Sequence, residues 1–230
     1  MATLELKPPV IRFLEGYLRE PVNCLTHAVG ALFSLGGLVL LVKAASGSWW
    51  HVVSFTIYGL SSVLLYAASS TLHGAKCTPE VRRLLLKLDH VGIFSLIAGS
   101  YTPLALVALR RVSPLLGWTL FGLVWLLAGL GMTIKLRWLD SHHWYSTAFY
   151  VLLGWLALFM LGPITQALSA GALTMLLAGG FFYTVGAVVF GLQRPNLYPG
   201  VLEHHELWHL FVLAGGLCHY AMFYFFMMPN

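Results

Sequence analysis

The chain has 230 residues, 59% of them hydrophobic and 9% charged, with a mean hydropathy of +0.81. So apolar a chain is not solvated as a water-soluble globule, and the bilayer is its expected solvent. The formal charge of +5 implies no nucleic-acid partner, because in a membrane protein the position of each Lys and Arg matters more than their sum.

Residues 1–23 form a polar N-terminal segment, and this segment argues against reading the first apolar run as a secretory signal. Seven apolar runs follow, each near the roughly 20 residues that cross a hydrocarbon core of about 30 Å. The first, 24–43, carries His27 near its inner end, within Asn-Cys-Leu-Thr-His. The second, 51–72, ends in Ser-Ser-Thr-Leu-His, with Ser69 and His73 on one helical face. The third, 86–109, begins with Lys-Leu-Asp-His, which includes Asp89, and contains Pro103, a residue expected to kink or end it. The fourth, 115–134, and the sixth, 171–192, are glycine-rich and suited to close helix packing. The fifth, 145–163, stops at Pro163. The seventh, 206–227, has His-His-Glu-Leu-Trp-His at its start. Each run must be helical, since unpaired backbone groups are too costly in lipid. The expected fold is therefore an all-α integral membrane protein, a seven-helix bundle in a single domain over 1–230.

With seven spans, Lys7, Arg12, Arg19, Lys76, Arg82, Arg83, Lys87, Lys135, Arg137 and Arg194 fall on one face, while only Lys43, Arg110 and Arg111 fall on the other. The positive-inside rule then predicts a cytoplasmic N-terminus and an outer C-terminus. The carboxylates Glu5, Glu15, Glu20, Glu80, Asp89, Asp140, Glu203 and Glu206 lie on or near the same predicted cytoplasmic face, which marks that face as the working end. The minimal loops favour a bacterial inner membrane. Cys24, Cys77 and Cys218 form no C-x-x-C pair, so neither a disulfide framework nor a thiolate zinc site is indicated.

Ionisable residues inside membrane spans are costly and usually face the bundle interior, a partner or water. His73 ends the second span, Asp89 begins the third, and His205 and His209 begin the seventh. Topology alone brings three imidazoles and one carboxylate to one depth. Two histidines at i, i+4 with a third imidazole, completed by a water or carboxylate, suit tetrahedral zinc. The competing expectation is a hydrogen-bonded cluster that only joins the helices. His27 either supports this cluster from behind or makes an interhelical hydrogen bond. His90 adjoins Asp89 but points about 100° away around the helix. His142, His143 and His204 are expected at the interface, and His51 and His219 away from the cluster. Trp49, Trp50, Trp138, Trp144 and Trp208 fit an aromatic belt. His205-Glu206-Leu207-Trp208-His209 matches H-E-x-x-H, but Glu206 is better placed as a helix-start carboxylate than as a protease base.

Ser69-x-x-x-His73, Asp89 and His205-x-x-x-His209, with Thr26-His27 and Ser100-Tyr101-Thr102-Pro103, give the whole chain a pattern that resembles the haemolysin III branch of the PAQR (progestin and adiponectin receptor) family. The resemblance implies seven helices, a cytoplasmic N-terminus and a zinc near the inner leaflet. It further implies that His73, His205 and His209 ligate the zinc directly, that Asp89 acts through a water, and that Ser69 lies beside it. Relatives in the family include membrane ceramidases, so the expected chemistry is hydrolysis of an acyl-lipid amide or ester. In that chemistry Asp89 serves as general base, and Ser69 steadies the water or the developing oxyanion. A sensor of acyl-lipids or free fatty acids in membrane homeostasis would use the same architecture. The alternatives are a pore-forming or cytolytic protein with a purely structural zinc and, third, an intramembrane metalloprotease.

Overall fold

A computed structural model describes residues 7–139 and 143–229. Glu5, Asp140 and His142 lie outside the described residues. Among the described residues, seven helices are long and apolar enough to cross a membrane. They are α1 (Pro21–Ala44), α2 (Trp49–Gly74), α3 (Pro79–Val112), α4 (Pro114–Arg137), α5 (Tyr145–Ala167 as a span), α6 (Ala170–Leu192) and α7 (His204–Phe226). A short helix, Pro9–Glu15, precedes them.

The sequence states most of the helix starts in local chemistry. Pro21, Pro79 and Pro114 occupy first-turn positions of α1, α3 and α4, where a missing N–H costs nothing. The Ser113 and Ser169 hydroxyls accept from the amides of Leu116 and Ala172, capping α4 and α6. At α7 the Glu203 and Glu206 carboxylates form a reciprocal capping box. Helix α3 starts well before the expected residue 86, and its first two turns carry the charged Glu80, Arg82 and Arg83. An apolarity pattern detects only the hydrocarbon-embedded part of a helix. Pro103 does not end α3; the backbone passes through a π-helical stretch, Leu104–Leu109, and continues to Val112. In α5 a 3₁₀ stretch, Trp155–Met160, precedes the turn that holds Pro163.

Neighbours in sequence pack side by side from α1 through α4, α6 packs along α7, and α7 returns against α1 to close the bundle. Helix α3 is the most enclosed span. It approaches α2 closely enough that a Cβ on Gly92 would stand 2.8 Å from the Leu65 Cα. Both glycine-rich helices use some of their glycines for close packing: Gly179 and Gly186 of α6 face α7 side chains directly and Gly131 of α4 faces Phe94 and Phe149, whereas Gly180 of α6 and Gly122 and Gly129 of α4 face open space. Large apolar side chains such as Phe33 and Phe159 point outward, as lipid-facing helices require. The chain before α1 is fastened to the end of α2, with the Arg19 and Glu20 amides donating to the carbonyls of Gly74 and His73.

Candidate metal centre

His73 is in the last turn of α2, and His205 and His209 are in the first turns of α7. Their ring centroids are separated by 4.9 Å (His73 to either α7 ring) and 5.0 Å (His205 to His209). One ligating atom from each lies within 4.8 Å of the others. His73 and His209 are buried and His205 is half-buried, so the three nitrogens converge in a protected pocket that a metal ion could occupy.

The surroundings orient these rings. His73 Nδ1 donates to the Glu20 carboxylate, which also receives Arg19. This bond leaves Nε2 as the atom free to ligate. Burial works to raise the Glu20 carboxyl, but the hydrogen bond from His73 and the charge of Arg19 outweigh it and hold the group below the usual carboxylate range. Thr26 Oγ1 lies 3.5 Å from His209 Nδ1. His27 makes no hydrogen bond through either ring nitrogen, contrary to one of its two expected roles. It stacks face to face on His209, with centroids 3.6 Å apart and planes 5° apart, and meets Tyr66 edge-on.

Asp89 faces the buried Ser69 hydroxyl and the His73 ring. Its oxygens are not among the ligand atoms of the tight three-histidine group. Both oxygens of Glu206 are engaged elsewhere, accepting from Asn23 Nδ2 at 2.7 Å and from the Glu203 amide at 2.9 Å. The H-E-x-x-H glutamate therefore acts as a helix cap. Sequence reasoning missed Glu20 and Asn23. For Asn23 the available signal was its spacing with Thr26 and His27 along one face of α1, whereas Glu20 precedes the helix.

The other histidines separate clearly. His51 is held by Ser48 at 2.5 Å and Arg111 at 3.4 Å near the opposite face. His204 bonds to Asn196. His90 reaches Tyr150 Oη at 3.4 Å. A cavity of about 440 Å³ extends from the three histidines into the bundle; all seven helices reach it, and its walls are mainly apolar, although α1 and α4 contribute only His27 and Lys135. Trp208, expected in the aromatic belt, lines this cavity.

Fold and site together define a polytopic seven-helix membrane protein with a three-histidine centre at one end of an apolar cavity. Residues 16–220 match the family model described as Haemolysin-III related, and the chain belongs to this family, the haemolysin III branch of the PAQR proteins. It is similar to Hemolysin-3 of Bacillus cereus, 39% identical over 213 residues that cover 92% of this chain and 93% of the relative. It is also similar to the Hemolysin-3 homolog of Bacillus subtilis strain 168, 37% identical over 207 residues, or 89% of this chain and 91% of the relative. A more distant likeness, 26% over 202 residues, links it to the human Monocyte to macrophage differentiation factor, covering 86% of this chain and 80% of that one.

Proposed function

We propose that this protein binds Zn2+ through His73, His205 and His209 and hydrolyses an amide or ester of an acyl-lipid, at the cytoplasmic leaflet of a bacterial plasma membrane. The observation that carries the reading is the convergence of three imidazoles beside Asp89 and Ser69 at one end of a long apolar cavity. The donor set fits the ion: three neutral nitrogens suit zinc, and the carboxylate that orients His73 is the usual outer support of such a ligand. When bound, zinc supplies Lewis acidity toward a carbonyl oxygen and a water.

The chain's own residues account for the rest. The cavity holds the acyl chain, and its volume lies within the range of ligand sites. Asp89 takes a proton from the attacking water at a carboxylate oxygen and returns it to the departing amine or alcohol as the carbonyl–heteroatom bond breaks. Ser69 donates its hydroxyl to the oxygen on which charge develops. Burial of the site excludes bulk water and strengthens each of these contacts.

A second reading, cytolysis with a structural metal, is favoured by the names of the Bacillus relatives. It requires a polar conduit, whereas the cavity walls are mainly apolar. The deciding experiment is elemental analysis of detergent-purified protein, never exposed to nickel resin, beside the His73→Ala/His205→Ala/His209→Ala variant, followed by assays on lipid amides and esters. One zinc per chain, lost in the variant, with hydrolysis by the native protein, is the expected outcome. Absence of zinc from both preparations overturns the metal assignment, and zinc without turnover on any acyl-lipid favours the second reading.

A further inference from the structure

Among the described residues, His219 and Tyr183 are side chains with adjoining rings, well away from the three histidines, and His219 Nδ1 and Nε2 and Tyr183 Oη are buried without a hydrogen-bond partner. His219 is in α7 and 8% exposed; Tyr183 is in α6. Their rings meet edge to face with centroids 5.5 Å apart, and both line the cavity. The Leu176 carbonyl is near His219 but lacks the geometry of a hydrogen bond.

The pair is held by its packing. A Cβ on Gly179 of α6 would stand 2.4 Å from His219 Cδ2, and one on Gly215 of α7 would stand 2.8 Å from Tyr183 Cε1. Each ring occupies a notch that a missing side chain leaves in the facing helix, so neither can turn away to find a partner. Leaving an imidazole and a phenol unpaired in a hydrocarbon environment is costly. The cost is relieved by a ligand oxygen that accepts from the phenol and donates to an imidazole nitrogen.

We propose that His219 and Tyr183 form a second polar subsite, which binds a hydroxyl carried partway along the acyl chain of a lipid whose carbonyl end lies at the three histidines. The proposal rests on the acyl-lipid reading above and adds the class of chain. Ten residues of α7 separate His209 from His219, about 15 Å along the axis. Carbon–carbon bonds of about 1.5 Å at about 111° advance roughly 1.25 Å each along an extended chain, so the hydroxyl belongs about twelve carbons from the carbonyl. Apolar groups such as Ile97, Leu176 and Trp155 line the same cavity and suit the methylenes.

The test compares binding of 12-hydroxyoctadecanoic acid and octadecanoic acid to the purified, metal-loaded protein, read by the fluorescence of Trp155 and Trp208, which line the cavity. The native protein is expected to prefer the hydroxy acid about tenfold, the effect of one well-made hydrogen bond. Tyr183→Phe is expected to abolish the roughly tenfold preference for the hydroxy acid over the plain acid. Positional isomers, with the hydroxyl nearer to or farther from the carboxyl, bind the native protein no better than the plain acid, a result that needs no variant. Equal binding of both acids by the native protein overturns the subsite alone and assigns the pair to water. Binding of neither acid overturns the acyl-lipid reading and the subsite with it.

Discussion

At the scale of single residues, the proposed metal centre depends as much on the carboxylates around it as on the imidazoles. Glu20 fixes the His73 ring through Nδ1, so Glu20→Gln should weaken zinc binding by about 10- to 100-fold while leaving the three ligands in place; competition with a graded series of chelators measures this directly. Asp89 stands outside the three-histidine group and should behave in the opposite way. Asp89→Asn is expected to retain a full complement of zinc and to lose hydrolysis, with elemental analysis and product formation measured on the same preparation; unchanged turnover would remove Asp89 from the role of base. His73, Asp89, His205 and His209 were legible in the sequence because ionisable groups are rare in membrane spans, and helix order places these four at one depth. Glu20 was not, because its role arises from the chain turning back onto the end of α2, a tertiary contact that no helical periodicity records.

At the scale of elements, the start of α7 combines two tasks. Its first turn presents His205 and His209 and also caps itself through Glu203 and Glu206, with Asn23 of α1 donating to the same Glu206 carboxylate. Glu206→Gln should therefore cost about 1 kcal/mol of stability, a typical loss for a helix cap, and leave zinc content and hydrolysis near native. A thermal unfolding curve recorded with the assay separates this outcome from abolished activity, which the protease reading requires. The helices themselves were legible in number and order. Their ends were less so: the first turns of α3 are charged and lie beyond the apolar stretch, and the π-helical passage after Pro103 follows from how the surrounding spans accommodate a missing amide. The pairing of His219 with Tyr183 was not legible either, because it depends on which glycine of α6 faces which turn of α7.

At the scale of the whole molecule, the basic residues are gathered on the face that carries the N-terminal segment, and the proposed orientation places this face in the cytoplasm. Cys77, exposed in the connection between α2 and α3, reports on it without any substitution. In intact cells a membrane-impermeant maleimide should leave Cys77 unmodified and should modify it after permeabilisation, as peptide mapping would show; labelling in intact cells reverses the orientation.

The closure of the bundle by α7 against α1 also bears on how the protein is made. The second span carries one of the three imidazoles and the final span the other two. A growing chain therefore has no complete set of donors until its last helix has left the translocation machinery and docked. The ion would act as a clasp fastened at the end of biogenesis, and a chain that stalls before α7 would remain an open bundle, distinguishable by cellular quality control from a finished protein.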